Sequence, residues 1–189
     1  MSDPVLAETR AWVERAVIGL QLCPFAKAPQ VKGQVRYVVS EAGDPESLLS
    51  ALVEELKLLA ATPPERIETT LLVHPRVLTD FEDHNDFLEI AEAALAALDL
   101  EGVIQIASFH PHYRFAGSEP DDIANATNRS PHPTLHLLRE ESIERALATF
   151  ADPDSIFEAN IATMKRLGPE SWAALRRRCR DDADADSSA

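Results

Sequence analysis

The chain has 189 residues, 45% hydrophobic and 26% charged, which suits one domain with a full core. A net charge of −14 excludes the basic footprint that nucleic-acid binding requires. No stretch approaches the roughly 20 apolar residues that span a bilayer. Residues Met1 to Arg15 lack the basic start and uncharged apolar run of a secretory signal, so no membrane partner and a cytoplasmic location are expected.

In chain order, Leu6, Val13, Val17 and Leu20 recur at helical spacing and predict a helix from Pro4 to Leu22, ended by Pro24. Phe25 to Gly33 reads as loop. Gln34 to Val39 is β-rich and forms the first strand. Asp44-Pro45 is a helix start, and Leu48, Leu49, Leu52, Leu56 and Leu59 share one face up to Ala61. Thr69 to Val73 is the second strand. Thr79 and Glu82 have capping-box spacing and open a helix to Leu98, with Phe81, Leu88, Ala91, Leu95 and Leu98 inward. Val103 to Ala107 is the third strand.

Ser108 to Pro133 is a long polar stretch without clear secondary structure, a length that points to function or to disorder. Its aromatic residues and prolines argue for order. Leu135 to Leu138 reads as a fourth strand or a helix start, and Glu140 to Phe150 as a helix. Asp152-Pro153 caps a further helix, with Ile156, Phe157, Ile161, Met164 and Leu167 inward and Gly168 as its stop. A terminal helix from Pro169 carries Trp172 and Leu175, with the Arg176 to Arg178 cluster on its last turn. The expected architecture is a single α/β domain over residues 1–180. It is a small, mostly parallel sheet of three or four strands flanked by helices, with extra N- and C-terminal helices. The acidic residues 181–189 read as a disordered tail.

The second strand runs into His74-Pro75-Arg76, and the third into His110-Pro111-His112-Tyr113-Arg114. Ligands of open α/β sheets bind outside the carboxyl ends of the strands, so these residues should share one edge of the sheet. Each histidine could equally cap its own strand. Two cysteines, Cys23 and Cys179, make neither a disulfide framework nor a Cys-x-x-Cys pair. Cys23 is a candidate nucleophile beside Lys27, although free cysteine usually only packs.

Several strings together resemble the domain-of-unknown-function 1415 family of bacterial and plant proteins. They are Gly19 to Lys27, Leu72 to Pro75 with Leu78 to Phe81, and Asn85 to Leu88. Ser108 to Pro111 with Phe115 to Gly117, Asn128 to Pro131, and Pro133 to Glu140 complete them. The resemblance covers nearly the whole chain except the acidic tail. It implies no activity or cofactor, but its motif positions fall on Cys23, His74, His110, Asn128 and Arg129. The family pattern is often acidic where this chain has His112 and aromatic where it has His132.

The first expectation is an enzyme for an anionic small molecule, a phosphate or carboxylate compound. Arg76, Arg114, Arg129, Asn128 and Lys27 would bind it, His110 would be general acid or base, His74 would assist, and Cys23 would be a possible nucleophile. Phe25, Phe109, Tyr113 and Phe115 would wall the pocket. The second is a metal-dependent, zinc-like hydrolase using His74, His110 and His112. The third is a noncatalytic binding or scaffold protein. No phosphate-cradling glycine loop supports nucleotide binding. The sequence leaves reaction, cofactor and oligomeric state open.

Overall fold

In the computed structural model, which describes residues 3–148 and 154–187, the helix starts follow their capping chemistry. The Asp3 carboxylate accepts from the Val5 amide and opens α1 (Pro4–Trp12), which passes into a π-helical turn (Val13–Ile18). The stretch expected as loop contains a short helix, α2 (Lys27–Val31). Pro29 lies in its first turn, where a missing N–H costs nothing. β1 (Val35–Val39) follows. Asp44 and Ser47 form a reciprocal capping box for α3 (Pro45–Ala61).

β2 (Thr69–Val73) is buried along its whole length, as expected of a strand covered on both faces. α4 (Phe81–Ala97) is capped by Asp80 instead of the expected Thr79: its carboxylate accepts from the amides of Glu82 at 2.8 Å and Asp83 at 3.3 Å. An ionised acceptor at a helix N-terminus also gains from the helix dipole, which a hydroxyl does not. β3 (Ile104–Phe109) starts later and ends later than expected. The long polar stretch is not without structure: it holds a 3₁₀ helix (Ile123–Asn128), capped by Asp122. β4 (Thr134–Arg139) is a strand, followed by α5 (Glu140–Leu147) and α6 (Asp154–Ser187). α6 breaks at Gly168, whose φ of 76° is open to glycine, and resumes at Pro169. The expected Asp152-Pro153 cap lies outside the described residues.

The four strands form one mixed sheet in the order β1-β2-β4-β3. β1 and β2 are parallel, and β4 is antiparallel to both β2 and β3. β2 and β3 therefore run in the same direction with β4 between them. Alternation along the strands divides the core in two. Leu72, Ile104, Leu135 and Leu137 pack with the leucines of α3 and with Phe87, Ala91 and Leu95 of α4. On the other face Leu71, Tyr37 and Phe109 meet Trp12 and Ala16 of the N-terminal helix and Met164 and Trp172 of α6.

Two expectations about the C-terminal half are corrected. Phe157 is not inward: it is 52% exposed and meets the edge of Phe115 from outside. The acidic segment expected to be disordered continues α6 through Ser187, so Arg176 to Arg178 lie inside the helix and not on its last turn. The reason is local packing. Ala183 is buried one helical turn after buried Cys179, and Asp182 pairs with Arg15. Removing residues 181–189 should therefore lower stability by about 1 kcal/mol through lost apolar burial, seen as a lower Tm. Asp182→Ala alone, which removes only an exposed ion pair, should leave Tm almost unchanged. A truncated chain with the full-length Tm would show that this helix end contributes nothing.

Candidate functional site

His74 and His110 follow directly on the last residues of β2 and β3. Val73 and Phe109 both pair with Thr134, so the two strands end at one level on either side of β4. Counting by twos from Leu72 and from Ile106 puts both histidines on the face covered by α4. Two strand spacings separate them, about 10 Å. His84, one turn into α4, fills that gap. Its ring centroid lies 5.2 Å from His74 and 5.1 Å from His110. All three side chains are fully buried. The row ends toward the surface at exposed His112, whose ring centroid is 5.9 Å from that of His110.

Sequence reasoning placed His74 and His110 and missed His84. Its signal was its place on the inward face of α4, three residues after Phe81 and four before Leu88, where a ring with two polar atoms needs a reason.

The backbone fixes the two end rings. His74 Nδ1 lies 3.0 Å from the Val77 carbonyl and must donate to it, which leaves a lone pair on Nε2. His110 Nδ1 accepts the His112 amide at 3.1 Å, so the neutral ring carries its proton on Nε2. His74 Nε2, His110 Nε2 and both nitrogens of His84 have no hydrogen-bond partner. Burial pushes His74 down to about 4, with the Val77 carbonyl opposing and the charge of His110 adding to the fall. Burial pushes His84 down to about 3, helped by both neighbours. His110 is lowered by burial and opposed mainly by the nearby carbonyl of Leu78. The connecting loop is strained at the same place, since Leu78, not a glycine, has φ of 54°.

A groove of about 280 Å³ opens beside the row, lined by Asp80, Phe81, Glu82, His112, Arg114 and Arg129 among others. Phe81 packs on both His110 and Tyr113. The far wall is the stretch after β3, held by two residues. Buried Asn125 accepts from Phe115 N and Ser118 Oγ and donates to Glu119 O. Arg129 donates from Nε to Tyr113 O and from Nη2 to Pro120 O.

The remaining expected residues are distributed more widely. Arg114 lines the groove 3.6 Å from Glu82. Asn128 supplies a framework contact, its carbonyl accepting the His110 amide. Arg76 is exposed, pairs with Glu41 and does not line the groove. Lys27 is exposed at the start of α2. Cys23 follows Leu22, which packs in the opposite core; it lines neither groove nor row, and burial pushes its thiol up, which suppresses the thiolate. Phe109 and Phe25 do not line the groove either. Phe109 packs against Trp12 on the opposite face.

The metal set His74, His110 and His112 does not fit. A metal on His110 Nε2 would require that nitrogen bare, yet Nδ1 faces an N–H donor and leaves the proton nowhere else. Among the described residues no group of three or more His, Cys, Asp or Glu is arranged to hold a metal ion.

A family model described as "Protein of unknown function (DUF1415)" matches residues 4–174. Neither a curated protein nor a solved structure matches the chain.

The buried rings make stability depend on pH. A histidine whose folded value lies below its unfolded value of 6.5 binds more protons unfolded, so stability rises with pH. The contribution is complete above pH 6.5 and is lost as pH falls from there toward 4. Denaturant midpoints should drop steeply between pH 7 and 5. His84→Leu should flatten that slope by up to one proton, and an equal slope in both proteins would refute the assignment.

Proposed function

We propose a function for this chain as a member of the DUF1415 family, to which the match over residues 4–174 assigns it: acid–base catalysis on an anionic small molecule, a phosphate or carboxylate compound, bound in the groove beside His112. The carrying observation is the position of His110. Its ring contacts Phe81 and His112, which line the groove, on one side and buried His84 on the other. In this reading His112 meets the ligand first and His110 exchanges the proton behind it. Because its value is lowered, His110 is neutral at neutral pH, and to act as a base its Nδ1 must first release the His112 amide. His74 assists from the far end of the row.

Arg114 and Arg129 are the anion anchors. Arg129 spends Nε and Nη2 on loop carbonyls and lines the groove, so its remaining Nη1 would be the donor for a ligand. Arg114 makes an exposed, 3.6 Å pair with Glu82, an interaction weak enough for a bound anion to displace. Arg76, Lys27 and Cys23 have no part in this reading.

Thermal-shift titration with inorganic phosphate and with small dicarboxylates tests the site. At least one should raise Tm. Arg114→Gln should weaken that ligand by about tenfold, the loss of one charge-assisted hydrogen bond. Glu82→Gln should strengthen it by releasing Arg114. Stabilisation that is the same in all three proteins would place the ligand elsewhere and defeat the reading.

A further inference from the structure

β3 is an edge strand, and its backbone groups can be followed one residue at a time. The Val103 carbonyl accepts the Glu140 amide, so residue 103 and every second residue after it turn their hydrogen-bonding groups toward β4. Residues 104, 106, 108 and 110 therefore turn theirs outward. Both ends of this outward row are occupied. The Ile104 amide donates to the Leu100 carbonyl, and the His110 amide to the Asn128 carbonyl. Between them, the Ile104 carbonyl and both backbone groups of Ile106 and of Ser108 have no partner among the described residues. Open edges recruit other strands, and charge, proline or a bulge normally protects them. This edge has no such protection. No Asp, Glu, Lys, Arg or Pro lies between residues 102 and 110, and the register with β4 is unbroken. The opposite edge, β1, carries Arg36. Val103, just before β3, is also 47% exposed.

We propose that this edge pairs, antiparallel, with the same edge of a second copy of the chain, about a twofold axis beside Ile106, joining the two sheets into one. Identical strands related by a twofold axis are self-complementary. With Ile106 opposite its counterpart, the two Ile106 residues exchange both N–H···O=C bonds. Each Ser108 amide donates to the Ile104 carbonyl of the other protomer. Both open donors of each edge are then satisfied, and the Ile104 amide keeps its bond to Leu100. The pairing needs nothing beyond residue 109, so Asn128 keeps its place on His110. The side chains match in the same register. Exposed Val103 comes opposite Phe109 of the other protomer, a β-branched and aromatic pair at the closer, non-hydrogen-bonded spacing, and Gln105 comes opposite Ala107. No charges meet, which matters for chains of net charge −14 that repel one another at long range. A foreign strand would have to bring its own apolar residues in matching order, whereas the second copy already carries them. Strand pairing alone buries less than the roughly 1,200–2,000 Å² of a standard interface, so the dimer dissociates on dilution.

Sedimentation velocity on the full-length chain of 20.8 kDa tests the association. A species of twice that mass should grow as concentration rises from about 5 to about 500 µM. Added salt should increase the dimer fraction, because it screens the repulsion between two acidic chains. Amide hydrogen exchange locates the contact. The Ile106 and Ser108 amides should exchange at least roughly tenfold more slowly at the higher concentration. Val103→Lys, at an exposed position, should weaken association by about tenfold or more and leave the Tm of the dilute protein unchanged. Ser108→Pro, which removes an outward donor and no bond to β4, should abolish it. Val31→Lys, at an exposed apolar side chain of α2, should associate like the unsubstituted chain. A monomer at every concentration, association that weakens with salt, a dimer whose Ile106 and Ser108 amides exchange as in the monomer, or full association of Val103→Lys would overturn the proposal. Should Ser108→Pro fail to fold, Val103→Lys decides alone. None of these measurements involves the groove, so the fate of the acid–base reading leaves them unchanged.

Discussion

The geometry of the site depends on β4 lying between β2 and β3. Were those two strands hydrogen-bonded neighbours, His74 and His110 would stand one strand spacing apart, with no room for a third ring. The antiparallel insertion doubles the separation, and pairing of Thr134 with both Val73 and Phe109 sets the two strand ends at one level. The ladder continues one step further, since the His74 amide bonds to the Pro133 carbonyl. α4 then has a gap of one ring's width to fill from above. Asp80 as N-cap fixes where that helix begins, and therefore which of its residues comes down over the gap.

The arrangement opposes stability locally. Three neutral rings occupy the end of an otherwise apolar, leucine-rich core, and Leu78 holds a conformation that side chains disfavour. Such departures are affordable only where neighbouring packing is strong. Here Leu48, Leu52, Leu56 and Leu59 of α3 are all fully buried against Leu72, Leu135 and Leu137. The same apolar surroundings keep the rings neutral. The cost and the chemistry thus have one cause, the low dielectric at the end of the sheet.

Much of this was legible in the sequence, and the boundary is physical. Strands at 69–73 and near 104 are set by local β propensity, and topology then places whatever follows them at one edge. That logic puts His74 and His110 at one edge of the sheet. His84 escapes it, because aliphatic and phenyl residues define helical periodicity, and an inward histidine is visible only when polar rings are allowed on the apolar face. The arginines were chosen by type, whereas their roles follow from direction: Arg76 turns to Glu41, while Arg129 turns inward to the carbonyls of Tyr113 and Pro120. The order of residues 181–187 goes with the burial of Ala183, which no apolar pattern in an acidic segment announces.

The charge pattern divides labour between rim and interior. A protein of net charge −14 repels anions at long range, so any anion that binds must be held by short-range contacts. The groove supplies these with Arg114 and Arg129, yet Asp80 and Glu82 share its lining. Asp80 is committed to the amides of α4 and cannot turn away, whereas Glu82 is exposed and tied only to Arg114. The groove is therefore nearly balanced in charge, and on the proposed reading an arriving anion would change that balance by displacing Glu82. A proton taken up at the same moment would offset the negative charge added. On the proposed reading, uptake of the anion and of the proton would favour each other, which would suit a neutral row of histidines behind a groove lined by both signs of charge.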